Sequence, residues 1–74
     1  MNQPTDRKRR SRNKILDAAL RMFKRQGYVG SGVDGIMEEA GMTSGAFYGH
    51  FSSKSDVLGE AFVHSFIEDQ AAMN

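Results

Sequence analysis

The stretch VDGIMEEAGMTSGAFYGHF, Val33–Phe51, decides the fold. It holds one short run with apolar residues at helical spacing, then Gly-Met-Thr, then a second run in which Phe47 and Phe51 lie four residues apart. Gly41 can adopt the positive φ that ends a helix and reverses the chain. Two short helices around a tight turn predict a helix-turn-helix motif.

The outer face of the second run carries small and hydrogen-bonding side chains. A helix made only for packing would use Leu, Ala and Glu there. With Phe47 and Phe51 buried and Ala46 partly beneath, the surface carries Thr43, Ser44, Gly45, Tyr48 and Gly49. The unpaired amides of a helix N-terminus attract phosphate, and small residues let a ligand approach the backbone closely. This face therefore predicts contact with DNA.

Two residues of this run have alternative interpretations. The Tyr48 hydroxyl can bond phosphate or base edges, or the ring can cover an apolar patch with its hydroxyl in water. The His50 ring can contact DNA or cap the end of the helix.

The rest of the chain predicts two more helices. A first helix begins at Asn13 and ends at Gly27, and a fourth begins at Ser53, where Asp56 completes a variant capping box. Ser31 is predicted to cap the second helix, and Thr43 to cap the third, which runs through Phe51.

The predicted fold class is all-α. It is a small helical domain with a three-helix head and the start of a fourth helix. The phenylalanines are predicted to form the core: Phe23, Phe47, Phe51, Phe62 and Phe66.

Charge is unevenly distributed although the net charge is only +1. Residues 1–26 carry nine basic and two acidic side chains, whereas residues 27–74 carry one basic and seven acidic. The run RKRRSRNK is either a phosphate-binding arm or a solvated terminus. We expect residues 1–12 to be a flexible arm that reaches toward phosphates or the adjacent minor groove.

Composition excludes several classes of protein. The chain has no cysteine, so it has no disulfide and no thiolate zinc site. No Ser–His–carboxylate grouping and no phosphate-cradling motif followed by lysine is present, so an enzyme is not predicted. No apolar run reaches membrane-spanning length and no signal-peptide core follows the basic N-terminus. The expectation is a cytoplasmic protein without metal or cofactor.

Taken together, residues Asn13–Phe66 resemble the N-terminal DNA-binding domain of the TetR family of transcriptional regulators, which is homeodomain-like. The resemblance rests on motifs at fixed offsets: Ile15-Leu16-x-x-Ala19-x-x-x-Phe23, Gly27-Tyr28, Val33-x-x-Ile36, Ala40-Gly41-Met42, Gly45-Ala46-Phe47-Tyr48-x-His50-Phe51 and Ser53-Lys54. It implies a domain over residues 13–66, with residues 67–74 as the end of the fourth helix or a frayed tail.

The resemblance also implies a function. Members act as homodimers on palindromic operators, usually as repressors, and a small ligand in a C-terminal domain releases the DNA. The implied DNA-contacting residues are Val33, Asp34, Thr43, Ser44, Gly45, Ala46, Tyr48, Gly49, His50 and Lys54. For Lys54 the alternative is a plain solvated lysine.

This sequence departs from the family pattern at two places. Gly49 stands where the family has a larger side chain, so either the backbone packs close to the groove or specificity lies elsewhere. The chain ends at Asn74, so we expect it to be truncated before the ligand-binding and dimerisation domain, unable to bind an inducer. The alternative function is a protein-interaction module, or a truncated partner, that pairs through the exposed apolar face of the fourth helix.

Overall fold

The computed structural model describes residues 4–72, and these residues form helices joined by short connectors. In chain order the elements are α1 (Pro4–Gln26), α2 (Val33–Ala40), the 3₁₀ helix η1 (Ser44–Gly49) and α3 (Lys54–Ala72). The all-α prediction is confirmed. Among the residues described, no helix has both the length and the apolar character needed to cross a bilayer.

Helix α1 begins well before the predicted Asn13. It starts at Pro4, so residues 4–12 are helical rather than a flexible arm, and residues 1–3 of the predicted arm lie outside the described residues. Proline suits a first helical turn, and Asp6 in that turn complements the helix dipole. The run of Arg and Lys lacks apolar periodicity, but these residues are good helix formers and extending an existing helix costs little.

The connector between α1 and α2 is fixed by a buried serine. Ser31 is only 1% exposed, and its hydroxyl donates to the carbonyl of Gly27 at 2.7 Å. Gly27 itself has φ +79° and ends α1. The prediction that Ser31 caps α2 is therefore wrong, because Gly32 occupies the N-cap position and no side chain caps that helix.

The core lies between α1, α2 and α3, with aromatic residues supplied from η1 and the turn after it. Phe47 is fully buried and Phe51 is 5% exposed, as predicted. The remaining buried apolar residues are Ile15, Leu16, Ala18, Ala19, Met22, Ile36, Met37, Val57 and Ala61. Phe23 is half-buried and packs against this cluster.

The second half of α3 is not part of this core. Phe62 and Phe66 are 66% and 61% exposed, so the prediction that they are core residues is wrong. Ala61 is the last buried residue that α3 contributes within the described part of the chain. Beyond it, Val63 and Ile67 are exposed as well.

The turn between α2 and η1 is a Schellman motif. Gly41 has φ +73° and its N–H donates to the carbonyl of Glu38 at 3.0 Å, while the N–H of Met42 donates to the carbonyl of Met37 at 2.9 Å. These bonds close α2 and reverse the chain at the predicted glycine. The helix-turn-helix arrangement is therefore confirmed.

The second helix of the motif differs from the prediction. It is a 3₁₀ helix that ends at Gly49, not an α-helix through Phe51, and Thr43 occupies its N-cap position without a side-chain hydrogen bond. Gly45 and Gly49 lower the helix propensity of a short segment, and such segments often form the tighter 3₁₀ geometry. The predicted Ser53 cap is present, since the Ser53 hydroxyl accepts from the N–H of Asp56 at 3.3 Å.

Candidate nucleic-acid interface

Helix η1 presents a continuous exposed row above a buried underside. Phe47 anchors the helix from below, and Ala46 is half-buried against the core. The predicted contact residues on the outer side are all exposed: Thr43, Ser44, Gly45, Tyr48 and Gly49. The sequence thus placed the two faces of this segment correctly.

Tyr48 is the largest exposed group on η1. Its side chain is 67% exposed, and its ring meets the ring of Phe47 edge-on, with centroids 5.0 Å apart and an interplanar angle of 79°. The buried phenylalanine supports the tyrosine ring from below. Because this packing already restricts the ring, a ligand that bonds its hydroxyl would cost little further side-chain entropy.

Gly45 and Gly49 are not required by the protein's own packing. A methyl group built at either position would meet no atom of the described chain within 4 Å, and neither residue has a positive φ. Glycine at these positions leaves open space above the backbone. A ligand as bulky as a DNA backbone can use that space.

The start of α2 adds two further predicted residues. Asp34 is exposed in the first turn, whereas Val33 is half-buried and packs against the core. The N-cap residue Gly32 has no side chain to satisfy the first amides of α2. The Val33 side chain therefore packs the start of α2 against the core, and only part of its surface is left for a ligand.

Lys54 is directed at the protein rather than outward. Its ammonium donates to the carbonyls of Tyr28 and Ser31, both at 2.9 Å, and lies 4.2 Å from the centroid of the Tyr28 ring. An ammonium has three donors, so two are used within the chain. Lys54 fixes the α1–α2 connector to the start of α3, a role that the sequence analysis did not foresee.

His50 lies at the end of η1 and is half-buried. Its Nδ1 is buried and makes no hydrogen bond within the part of the chain that the structure describes. Burial, together with the nearby charges of Lys8 and Arg12, lowers the pKa of the imidazole below its ordinary value. The ring is therefore biased toward the neutral form.

The N-terminal half of α1 carries the basic run. Arg7, Lys8, Arg9 and Arg10 are exposed, whereas Arg12 is half-buried and pairs with Glu60 of α3. Sequence reasoning missed that Arg12 differs from its neighbours. A signal was available, because Arg12 lies one helical turn before the buried Ile15 and so borders the core stripe.

The fold defines a helix-turn-helix protein, and comparison with known proteins gives its family. The family model described as "Bacterial regulatory proteins, tetR family" matches residues 15–61. The chain belongs to this family. Proteins of this family are transcriptional regulators and not enzymes, and the expected resemblance to the N-terminal domain of the family is confirmed.

Three curated relatives are similar to this chain. It is 46% identical over 50 residues to the HTH-type transcriptional regulator AcrR of Shigella flexneri. The aligned segment covers 68% of this chain and 23% of AcrR. It is 46% identical over 48 residues to LmrA of Bacillus subtilis (strain 168), covering 65% of this chain and 26% of LmrA. The same identity and length hold for SrpR of Pseudomonas putida, with 65% and 22% covered.

The chain thus spans about a quarter of the length of these relatives, whose names describe them as HTH-type transcriptional regulators. No solved structure matched the chain significantly.

Proposed function

We propose that this chain binds duplex DNA and acts as the DNA-reading head of a transcriptional regulator, with η1 seated in the major groove. The observation that carries the proposal is the exposed row on η1, held up by buried Phe47 and preceded by the α2–η1 turn. The family membership and the names of the relatives support the same function.

The contact set divides by physical role. Tyr48 and Ser44 supply hydroxyl groups for phosphate or base edges, and Gly45 and Gly49 allow close approach. Lys54 has one ammonium donor left for a phosphate after its two internal bonds. Thr43, Ala46, His50, Val33 and Asp34 complete the proposed set.

The basic half of α1 contacts phosphates rather than entering the minor groove. That groove is about 6 Å wide and an α-helix with side chains is about 10–12 Å across, so a helical segment does not fit. Arg7 and Arg9 are exposed on such a helix. Their contribution is salt-sensitive and independent of sequence.

The wider assembly follows the family. In this proposal the whole protein is a cytoplasmic homodimer on a palindromic operator, acts as a repressor and is released by a small molecule. A single head then reads one half-site, with weak affinity that depends strongly on salt.

A second function rests on a different observation. The exposed apolar residues of α3 (Phe62, Val63, Phe66 and Ile67) form a surface suited to protein association. A chain that associates through them and does not bind DNA is an interaction module. Sedimentation of the chain with and without duplex DNA separates the two functions.

The direct test is binding to duplexes selected from a pool with a randomised centre, measured over a salt series. Tyr48→Ala is expected to weaken binding to a selected duplex about tenfold while lowering the free energy of unfolding by no more than about 1.5 kcal/mol, because the side chain is 67% exposed and its ring meets Phe47 only edge-on. Val29→Ala, at a residue 92% exposed on the α1–α2 connector, is the matched control. Equal binding by wild type and Tyr48→Ala would mean that η1 does not contact DNA and that only the basic half of α1 does.

A further inference from the structure

The Arg12 side chain joins three elements of the fold. Its Nε donates to Glu60 Oε1 at 3.2 Å and its Nη2 donates to Oε2 of the same carboxylate, a bidentate pair between α1 and α3. Its Nη1 donates to the main-chain carbonyl of His50, just after η1. The guanidinium carbon also lies 4.3 Å from the centroid of the Phe51 ring.

We propose that Arg12 is a positioning residue for sequence reading. It fixes the C-terminal end of η1 relative to α1 and α3, and it raises selectivity for the correct DNA sequence without touching DNA. This inference rests on the proposed DNA-binding function and names a determinant of its specificity.

The link matters because η1 is otherwise supported mainly from α2 and from below by Phe47. A six-residue 3₁₀ helix with two glycines resists tilting weakly. Arg12 gives the end of this helix a direct bond to the two long helices. The position of His50 and Tyr48 against the DNA then follows from the rigid α1–α3 pair.

Only arginine can make this set of contacts. A planar guanidinium matches a carboxylate with two parallel donors, keeps further donors for a carbonyl, and stacks on an aromatic ring. Lysine preserves the positive charge but has neither the fork nor the flat face. The Arg12 side chain is 31% exposed, and its donors are directed at Glu60 and His50 instead of outward.

Loss of the link should act on selectivity more than on general affinity. Contacts to base edges need a fixed geometry, whereas phosphate contacts tolerate small rotations. A tilted η1 therefore keeps its electrostatic attraction to any duplex. What it loses is the preference for the selected sequence.

The experiment compares wild type with Arg12→Lys and Glu60→Gln. Each is titrated with a selected duplex and with a scrambled duplex of the same composition, over a salt series and at a temperature where circular dichroism shows the variant folded. Arg21→Gln is the matched control, because it breaks another ion pair of α1, to Glu39 of α2, that has no link to η1.

We expect both test variants to lose at least about fivefold in the ratio of selected to scrambled affinity, the equivalent of one mismatched base pair. Their affinity for scrambled DNA and their salt slope stay as in wild type, and Arg21→Gln keeps the wild-type ratio. If Arg12→Lys does not fold, Glu60→Gln alone carries the test.

Two results overturn the inference. An unchanged ratio in a folded variant means that Arg12 does not set selectivity. A further variant, Arg12→Gln, removes the charge and is titrated in the same way. A salt slope shallower by about 0.9 in Arg12→Gln, together with preserved binding in Arg12→Lys, means that Arg12 is itself a phosphate contact. If wild type selects no sequence from the pool, the proposed function fails, which is a separate outcome.

Discussion

The Lys54 ammonium lies against Tyr28 in two ways: 4.2 Å from the centroid of its ring and 2.9 Å from its main-chain carbonyl oxygen. The same ammonium also bonds the carbonyl of Ser31. A lysine just after η1 thus holds together the connector that leads into α2. Its contribution to stability can be measured separately from its contribution to DNA binding.

Lys54→Met is expected to lower the free energy of unfolding by about 1–3 kcal/mol, because it removes charge-assisted bonds to two carbonyls and a cation–π contact. Urea denaturation measures this change. The control is Lys14→Met at an exposed lysine of α1, with an expected change within about 0.5 kcal/mol. Equal stability of Lys54→Met and wild type would mean that these contacts contribute nothing.

Gly49→Ala is expected to raise the stability of the fold and to lower the affinity for DNA. The added methyl meets no atom of the described chain, so stability should rise by up to about 1 kcal/mol through the reduced freedom of the unfolded chain. Binding to a selected duplex should weaken, because the methyl occupies the space assigned to DNA in the proposed complex. Thermal unfolding and a titration on the same sample give both quantities.

The contrast for that prediction is Gly41→Ala. Gly41 has φ +73°, which costs a residue with a side chain about 1–2 kcal/mol, so this variant should lose stability. A gain at Gly41 or a loss at Gly49 would reverse the assignment of the two glycines.

The stability of the domain is expected to depend on His50 as the pH falls. Because burial and nearby positive charges lower the pKa of His50, the unfolded chain binds a proton more readily than the folded chain. Stability is therefore fully present above the ordinary value of 6.5 and decreases as the pH falls through it toward the folded pKa. His50→Gln should flatten this part of the profile.

Two measurements check the His50 prediction. Urea denaturation across this pH range gives the profile for wild type and His50→Gln. An NMR titration of the imidazole should give a midpoint below 6.5, and a midpoint at or above that value contradicts the burial argument.

Glu39 affects stability at lower pH, since hydrogen bonds from Arg21 and Arg25 lower its carboxyl pKa below 4.5. Its stabilising contribution is present above that value and is lost as the pH falls through the lowered pKa.

Phe66→Ser is expected to leave the free energy of unfolding within about 0.5 kcal/mol of wild type, because the side chain is 61% exposed. Self-association, measured by sedimentation velocity, should decrease. Phe51→Ala is the matched contrast: its side chain is 5% exposed, and its loss should cost about 3–5 kcal/mol. A large destabilisation by Phe66→Ser would place that ring in a packed environment.

Sequence reasoning predicted the motif well where local chemistry decides the outcome. The positive φ at Gly41, the buried pair Phe47 and Phe51, and the Ser53 cap all follow from short-range rules. The exposed face of η1 followed from the same spacing.

Most of the failures have a common cause. Lys54 and Arg12 make their bonds to residues far away in the chain, so no local pattern indicates them. The exposure of Phe62 depends on which side of α3 packs against α1, which hydropathy does not specify. Tertiary geometry, not local preference, decided these cases, whereas Ser31 bonds to Gly27, four residues earlier, instead of capping α2.

The helical form of residues 4–12 changes what the basic N-terminus can do. A loose tail would give up about 1–2 kcal/mol of backbone entropy for every residue it orders on a phosphate chain. Here that ordering has already occurred within the protein, so in the proposed complex the arginines meet the duplex on a rigid helix with fixed spacing. We expect such a helix to bring all of its charges to the phosphates together or, at an unfavourable docking angle, none of them.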